Sequence, residues 1–200
     1  MKALILVDIQ NDFCAGGALE VPKANKIIEG VNLLQEEMAG SLIVATQDYH
    51  PQNHKSFASN NEGKNVGDLG ILNGSPQVMW PDHCVKGTEG AEFHKDLNLE
   101  KINKVFPKGE NPEVDSYSGF YDNDGVSSTG LAEYLKEKGV EEVVVVGLAL
   151  DYCVKFTALD AVKEGFKTTL KTNLTKAVNL NAGDDEKALE ELREAGVICE

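Results

Sequence analysis

The sequence predicts an α/β fold, a mainly parallel sheet with helices packed on both of its faces. Three observations carry this prediction. Short apolar runs rich in β-branched residues alternate with amphipathic stretches of helical period, the pattern of strand–helix–strand crossovers. The clearest run, Val143–Val146, is all valine, apolar enough for a strand buried on both faces. Reactive side chains also follow directly on the predicted strands, at the end where parallel sheets bind their ligands.

In chain order, Lys2–Val7 reads as a buried strand closed by Asp8. Ile27, Val31, Leu34 and Met38 share one face of a helix over Asn25–Met38, stopped by Gly40. Leu42–Thr46 is a second strand, running into Q-D-Y-H. From Tyr49 to about Leu99 the chain is rich in Asn, Gly, His and Pro and reads as irregular, a length expected only where a loop builds a site. Ile102–Phe106 is a third short strand, followed by Pro107 and Lys108. A helix covers Ser128–Lys138, with Leu131 and Leu135 one turn apart. The valine strand breaks at Gly147. After a tight elbow a helix opens with Cys153 in its first turn, carries Val154, Ala158, Ala161 and Val162, and stops at Gly165. Phe166–Thr172 reads as a strand nearer the sheet edge. Asp184 and Asp185 lead a last helix with Ala188, Leu192 and Ala195, and Val197–Cys199 is a short terminal strand. No repeat, low-complexity segment or linker interrupts the series, so residues 1–200 read as one domain.

The composition narrows the function classes. Lys and Arg total 19 against 33 Asp and Glu, a net charge of −14, which argues against nucleic acid and anionic membrane surfaces as partners. No apolar run is long enough to span a bilayer, and the first strand lacks a small-residue cleavage pattern behind it. Cys14, Cys84, Cys153 and Cys199 are scattered with no C-x-x-C pair, as expected of a protein of the reducing cytoplasm. A small-molecule substrate fits this profile, and a homo-oligomer is compatible with it.

Asp8, Asp48 with His50, Lys108 and Cys153 each follow a different predicted strand, so the fold gathers them on one sheet edge. A thiol at the start of a helix faces unpaired backbone N–H groups and the positive end of the helix dipole, which favour thiolate and can hold an oxyanion. Asp8 could take the thiol proton and return it to a leaving amine, while Lys108 favours the thiolate electrostatically. Taken singly, each has a plainer account: a buried structural cysteine, a turn-capping aspartate, a solvated lysine. Asp48 and His50, spaced D-x-H, could reach one metal from a strand end. His54 and His83 lie in the long loop nearby, a donor set suited to Zn²⁺, Fe²⁺ or Mn²⁺. His94 reads as a surface residue. Phe13, Trp80 and Tyr117 lie close in sequence to these groups and read either as core or as walls for a flat ring.

Several motifs form a recognisable set: L-V-D-I-Q-N-D-F with G-G-A-L, V-A-T-Q-D-Y-H-P-Q-N-H, W-P-D-H-C, F-P-K-G, Y-S-G-F and G-L-A-L-D-Y-C-V. Together they closely resemble the nicotinamidases (pyrazinamidases), members of the isochorismatase-like cysteine hydrolases. The resemblance implies a three-layer α/β/α sandwich. It implies a catalytic triad of Cys153, Asp8 and Lys108, and one divalent metal ion (Zn, Fe or Mn) on Asp48, His50 and His83. His54 matches a position that is a ligand in some members and a supporting donor in others. A non-proline cis peptide is implied at Leu148–Ala149, with an oxyanion hole from the N–H groups of Ala149 and Cys153. Phe13, Trp80 and Tyr117 would contact the substrate ring. The implied reaction is hydrolysis of nicotinamide to nicotinate and ammonia through a cysteine thioester, in NAD salvage, with pyrazinamide a second substrate. The alternative is a sister cysteine amidohydrolase acting on another small amide or an N-carbamoyl compound; such relatives lack the Asp–His–His set. Leu150 departs from the pattern, standing where threonine is common.

Overall fold

A computed structural model describes residues 1–200. At its centre six strands run parallel in the order β5-β2-β1-β6-β7-β8. They are β1 (Lys2–Val7), β2 (Leu42–Asp48), β5 (Lys104–Lys108), β6 (Glu142–Leu148), β7 (Lys167–Lys176) and β8 (Ile198–Cys199). The crossovers are α1 (Ile28–Glu37), α2 (Leu131–Glu137), α3 (Lys155–Lys163) and α4 (Asp184–Glu194).

Two apolar cores, one on each sheet face, make the three layers. Along β1, Ala3, Ile5 and Val7 enter one core and Leu4 and Leu6 the other, the period of two that a strand imposes. The valines of β6 divide likewise, Val143 and Val145 against Val144 and Val146. Leu131, Leu135, Ala158, Ala161, Ala188 and Leu192 bring α2, α3 and α4 onto the first core, and Ile28, Val31 and Leu34 bring α1 onto the second. Each fully buried Val, Leu or Ile contributes roughly 1.5–3 kcal/mol of transfer free energy, which makes these faces the main stabilising element.

Several boundaries differ from the sequence expectation, each for a physical reason. Residues 24–27 form a 3₁₀ turn ahead of α1, so the helix proper is shorter than its apolar period suggests. Strand β5 runs through Pro107 to Lys108 instead of stopping at Phe106; it is an edge strand, where a missing N–H is tolerated. The long loop contains a hairpin, β3 (Leu69–Leu72) and β4 (Ser75–Val78). Its turn residues Asn73 and Gly74 have φ of 48° and 78°, the Asn-Gly signature of a type I′ turn. Between β6 and α3 the chain makes a π-helical turn, Leu150–Val154, so Cys153 sits inside that turn and not at the start of an α-helix.

One contact sets how closely the two central strands approach. Gly147 lies opposite Val7 with φ 119°, and a Cβ there would fall 2.1 Å from the Val7 carbonyl oxygen. Only glycine lets β6 lie against β1 at the end from which Asp8 and the elbow emerge. No helix is long and apolar enough to cross a membrane.

Candidate active site

Asp8 follows β1, Asp48 and Lys108 are the last residues of β2 and β5, and Cys153 lies in the turn after β6. The parallel register sets Asp48 beside Lys108. All four side chains are buried, Asp8 completely. Lys108 is the hub: its Nζ lies 3.0 Å from Asp8 Oδ2 and 3.5 Å from Cys153 Sγ, donates to the Ser116 carbonyl at 2.7 Å, and contacts Asp48 Oδ1. The plainer reading of Lys108 as a solvated loop residue does not hold. The Thr46 hydroxyl donates to Asp8 Oδ1 at 2.6 Å. Oδ2 meets the ammonium as an ion contact and accepts no hydrogen bond, which leaves lone-pair capacity on that oxygen.

Burial dominates the electrostatics. It pushes the Cys153 thiol well above its ordinary pKa, against the pull of the Lys108 charge. It also raises the Asp8 carboxyl, helped by Asp48 and opposed by Lys108 and the Thr46 bond. For Lys108 burial alone would favour the neutral amine, but Asp48 and Asp8 outweigh it and hold the ammonium charged. A protonated thiol thus lies beside a carboxyl group of raised basicity and a fixed cation, an arrangement able to move one proton between sulfur and carboxylate.

Beside this cluster the Nε2 atoms of His50 and His83 lie 3.6 and 3.8 Å from Asp48 Oδ2. Each ring is fixed from behind. His50 Nδ1 donates to the Gly109 carbonyl at 2.8 Å and His83 Nδ1 to the Pro81 carbonyl at 2.8 Å. These bonds make Nδ1 the donor and turn both Nε2 atoms toward the carboxylate, the orientation that metal-bound histidines adopt. A Cβ on Gly109 would lie 2.4 Å from the His50 ring, so glycine is needed for the loop to pass that closely. The ligand-capable atoms of Asp48, His50 and His83 all fall within 4.8 Å of one another. The donor set fits a divalent ion such as Zn²⁺.

His54 stands apart from that trio. Its ring packs 4.4 Å from that of His50, but Nδ1 is engaged by Ser56 and Nε2 by the Val114 carbonyl at 3.2 Å. Both nitrogens are occupied within the fold, so His54 fits as a supporting residue and not as a ligand in this arrangement. His94 lies elsewhere, bonded to Asn25.

The cavity over these groups is lined by Phe13, Trp80, Tyr117, Asp48, His83, Ala149 and Cys153, as the sequence led us to expect, and by Leu19, Asp115, Tyr152 and Val178. Trp80 and Tyr152 meet edge-on at 4.9 Å, and the Trp80 Nε1–H donates to the Tyr117 hydroxyl at 3.2 Å. The result is a narrow aromatic slot. The Leu148–Ala149 peptide is cis. The Ala149 carbonyl accepts from Tyr152 and Val154, closing the turn, while its own N–H is paired with no acceptor of the chain. Sequence reasoning missed Thr46, Asp115, Ser116 and Tyr152. Tyr152 could have been found from its place in D-Y-C, and Thr46 from its place in V-A-T-Q-D-Y-H, where it closes the predicted strand.

Similarities to known proteins agree with this geometry. The isochorismatase domain family matches residues 2–200. A nicotinamidase of Escherichia coli (strain K12) is 47% identical over 197 residues, covering 98% of this chain and 92% of that protein. A solved nicotinamidase/pyrazinamidase of Acinetobacter baumanii superposes with a TM-score of 0.95 at 45% identity, over 99% of this chain and 94% of that one. The pyrazinamidase of Pyrococcus horikoshii, solved in complex with zinc, superposes with a TM-score of 0.81 at 39% identity, over 100% of this chain and 98% of the other. With a matching fold and this extent of similarity, the chain belongs to the isochorismatase family of hydrolases.

Proposed function

We propose that the protein is a nicotinamidase, hydrolysing nicotinamide to nicotinate and ammonia through a thioester on Cys153, with residues 1–200 acting as one domain. The observation that carries this reading is that the Cys153–Asp8–Lys108 cluster adjoins Asp48 and the two imidazoles turned toward it, with Cys153, Asp48 and His83 lining one cavity. The nicotinamidase activity named for relatives of this similarity supports it.

The steps follow from the geometry. Asp8 Oδ2, free of hydrogen bonds, takes the Cys153 proton as sulfur attacks the carboxamide carbon and the carbonyl electrons move onto oxygen. The unpaired Ala149 N–H, with the Cys153 N–H beside it, stabilises that oxyanion. When the tetrahedral adduct collapses, its C–N bond breaks and the Asp8 proton passes to nitrogen, releasing ammonia. Water then attacks the thioester, giving one proton to Asp8; the C–S bond breaks, sulfur regains that proton, and the acid formed releases water's other proton to solvent and leaves as nicotinate. Lys108 stays charged throughout and offsets the negative charge that moves between sulfur and carboxylate. Phe13, Trp80 and Tyr117 hold the ring flat in the slot. Asp48, His50 and His83 would hold a divalent ion, which would supply a Lewis-acidic partner for the pyridine nitrogen.

Pyrazinamide shares the ring nitrogen and the amide and belongs among the substrates. A place in NAD salvage follows from the reaction, and four free cysteines support a cytoplasmic setting. The test is ammonia release from nicotinamide before and after chelation and after metal is restored. Release should fall on chelation and return with Zn²⁺, Fe²⁺ or Mn²⁺. A fully metal-loaded protein that releases none would overturn the proposal.

A further inference from the structure

The geometry points to Gln10 as the positioning residue that sets the metal-binding trio, an inference that rests on the metal reading above. Strand β1 pairs with β2 only as far as Leu6 with Ala45 and ends at Val7. At Asp8 the chain takes φ 47° and leaves the sheet. Strand β2 continues to Asp48, which pairs with Lys108 of β5 on one side but has lost β1 on the other. The main-chain N–H and C=O of Asp48 would therefore be orphaned in a buried place, where an unmade hydrogen bond is costly.

The side chain of Gln10 takes the place of the missing strand. Its Oε1 accepts from the Asp48 N–H at 2.8 Å, and its Nε2 donates to the Asp48 carbonyl at 2.8 Å. The second Nε2 hydrogen goes to the Ala91 carbonyl at 2.8 Å. Gln10 is completely buried, and each of its amide hydrogens has an acceptor. Its backbone also bridges to Phe93, and the next residue, Asn11, donates to the Glu92 carbonyl at 2.9 Å. One residue thus ties the end of β2, which carries Asp48, to the segment that follows His83 in the chain. Gln47 reinforces the tie with a 2.9 Å bond to the same Ala91 carbonyl. The amide does not face the pocket: Gln10 acts by holding Asp48 at the distance from His50 and His83 that an ion requires.

The chemistry separates the test variants. Gln10→Met keeps length and volume but leaves the Asp48 N–H and C=O unpaired and removes one of the two bonds to the Ala91 carbonyl. Gln10→Glu keeps an acceptor for the Asp48 N–H and loses both amide donors, so it preserves only part of the tie. Affinity of the metal-free protein for Zn²⁺ would be measured by chelator competition, alongside thermal melting and the rate of Cys153 alkylation by iodoacetamide. Gln10→Met should weaken Zn²⁺ binding about tenfold or more, with alkylation of Cys153 close to wild type. Gln10→Glu should lie between the two. A folded Gln10→Met that binds Zn²⁺ as tightly as wild type overturns the role of Gln10 alone. A wild-type protein that binds no Zn²⁺ overturns the metal reading and this inference with it. If neither variant folds, Gln10 is a folding determinant and the positioning role is wrong.

Discussion

Asp8 is held between opposing influences, and that balance can be moved one atom at a time. Burial raises its pKa, while Lys108 and the Thr46 hydroxyl lower it. Only the carboxylate form can accept the thiol proton, so activity is lost as pH falls through the Asp8 pKa. Thr46→Val keeps the shape of the side chain and removes the 2.6 Å bond to Oδ1. The Asp8 pKa should rise, and the acid limb of the kcat/KM profile should move to higher pH; an unmoved limb would show that Asp8 does not titrate in the rate. Cys153→Ala should reduce ammonia release to background in a folded protein, whereas Ala at Cys14, Cys84 or Cys199 should preserve it. Lys108→Ala leaves two buried carboxylates without their cation, a loss of roughly 3–5 kcal/mol that denaturant unfolding would register. In any fraction that folds, iodoacetamide should label Cys153 more slowly than in wild type, because the one charge opposing the raised thiol pKa is gone.

The elements differ in how openly their residues announce them. The β1 and β6 strands were legible because a strand buried on both faces has no polar face to alternate, and a short valine run leaves few other readings. The end of β5 was not, because Pro107 reads as a stop unless the strand is known to lie at an edge. The β3–β4 hairpin carried its signal in Asn73–Gly74, but its flanks lack the alternating apolar residues that make such a turn persuasive. The π turn around Cys153 has no local signature at all: it depends on where β6 must end and α3 must begin. Gly147 controls that handover. Gly147→Ala would place a methyl 2.1 Å from the Val7 oxygen at a φ that L-residues avoid. It should cost about 1–3 kcal/mol from backbone strain alone. Forcing β6 from β1 also separates Cys153 from Asp8, so turnover should fall even at temperatures where circular dichroism reports a folded protein. Full turnover in that variant would mean that the strand contact does not set the site.

Over the whole molecule, a parallel sheet brings four distant segments to one edge, which is why Asp8, Asp48, Lys108 and Cys153 could be assembled from the chain in advance. His83, Trp80 and Phe13 could not be placed that way. They sit in loops whose course no periodicity fixes; their closeness in sequence to the strand-end groups left their roles open, and resemblance to known sequences implied one pocket. On the proposed mechanism the two groups divide the work: the strand-end cluster would serve any small amide, and the loop residues with the metal-binding trio would select among rings. That division predicts how substrates rank. Nicotinamide and pyrazinamide carry a ring nitrogen meta to the carboxamide-bearing carbon, and both should be hydrolysed. Benzamide fills the same aromatic slot and offers the same carbonyl to Cys153 but has no ring nitrogen for the metal. Picolinamide has that nitrogen adjacent to the carboxamide-bearing carbon, where holding it would swing the carbonyl away from sulfur. Both should be very poor substrates of the metal-loaded enzyme. His83→Ala should remove most of the preference by lowering nicotinamide turnover, with Cys153 still open to iodoacetamide. The decisive comparison is kcat/KM for nicotinamide against benzamide on one metal-loaded preparation. Equal values would mean that Asp48, His50 and His83 do not orient the ring, and that the pocket accepts amides by shape alone.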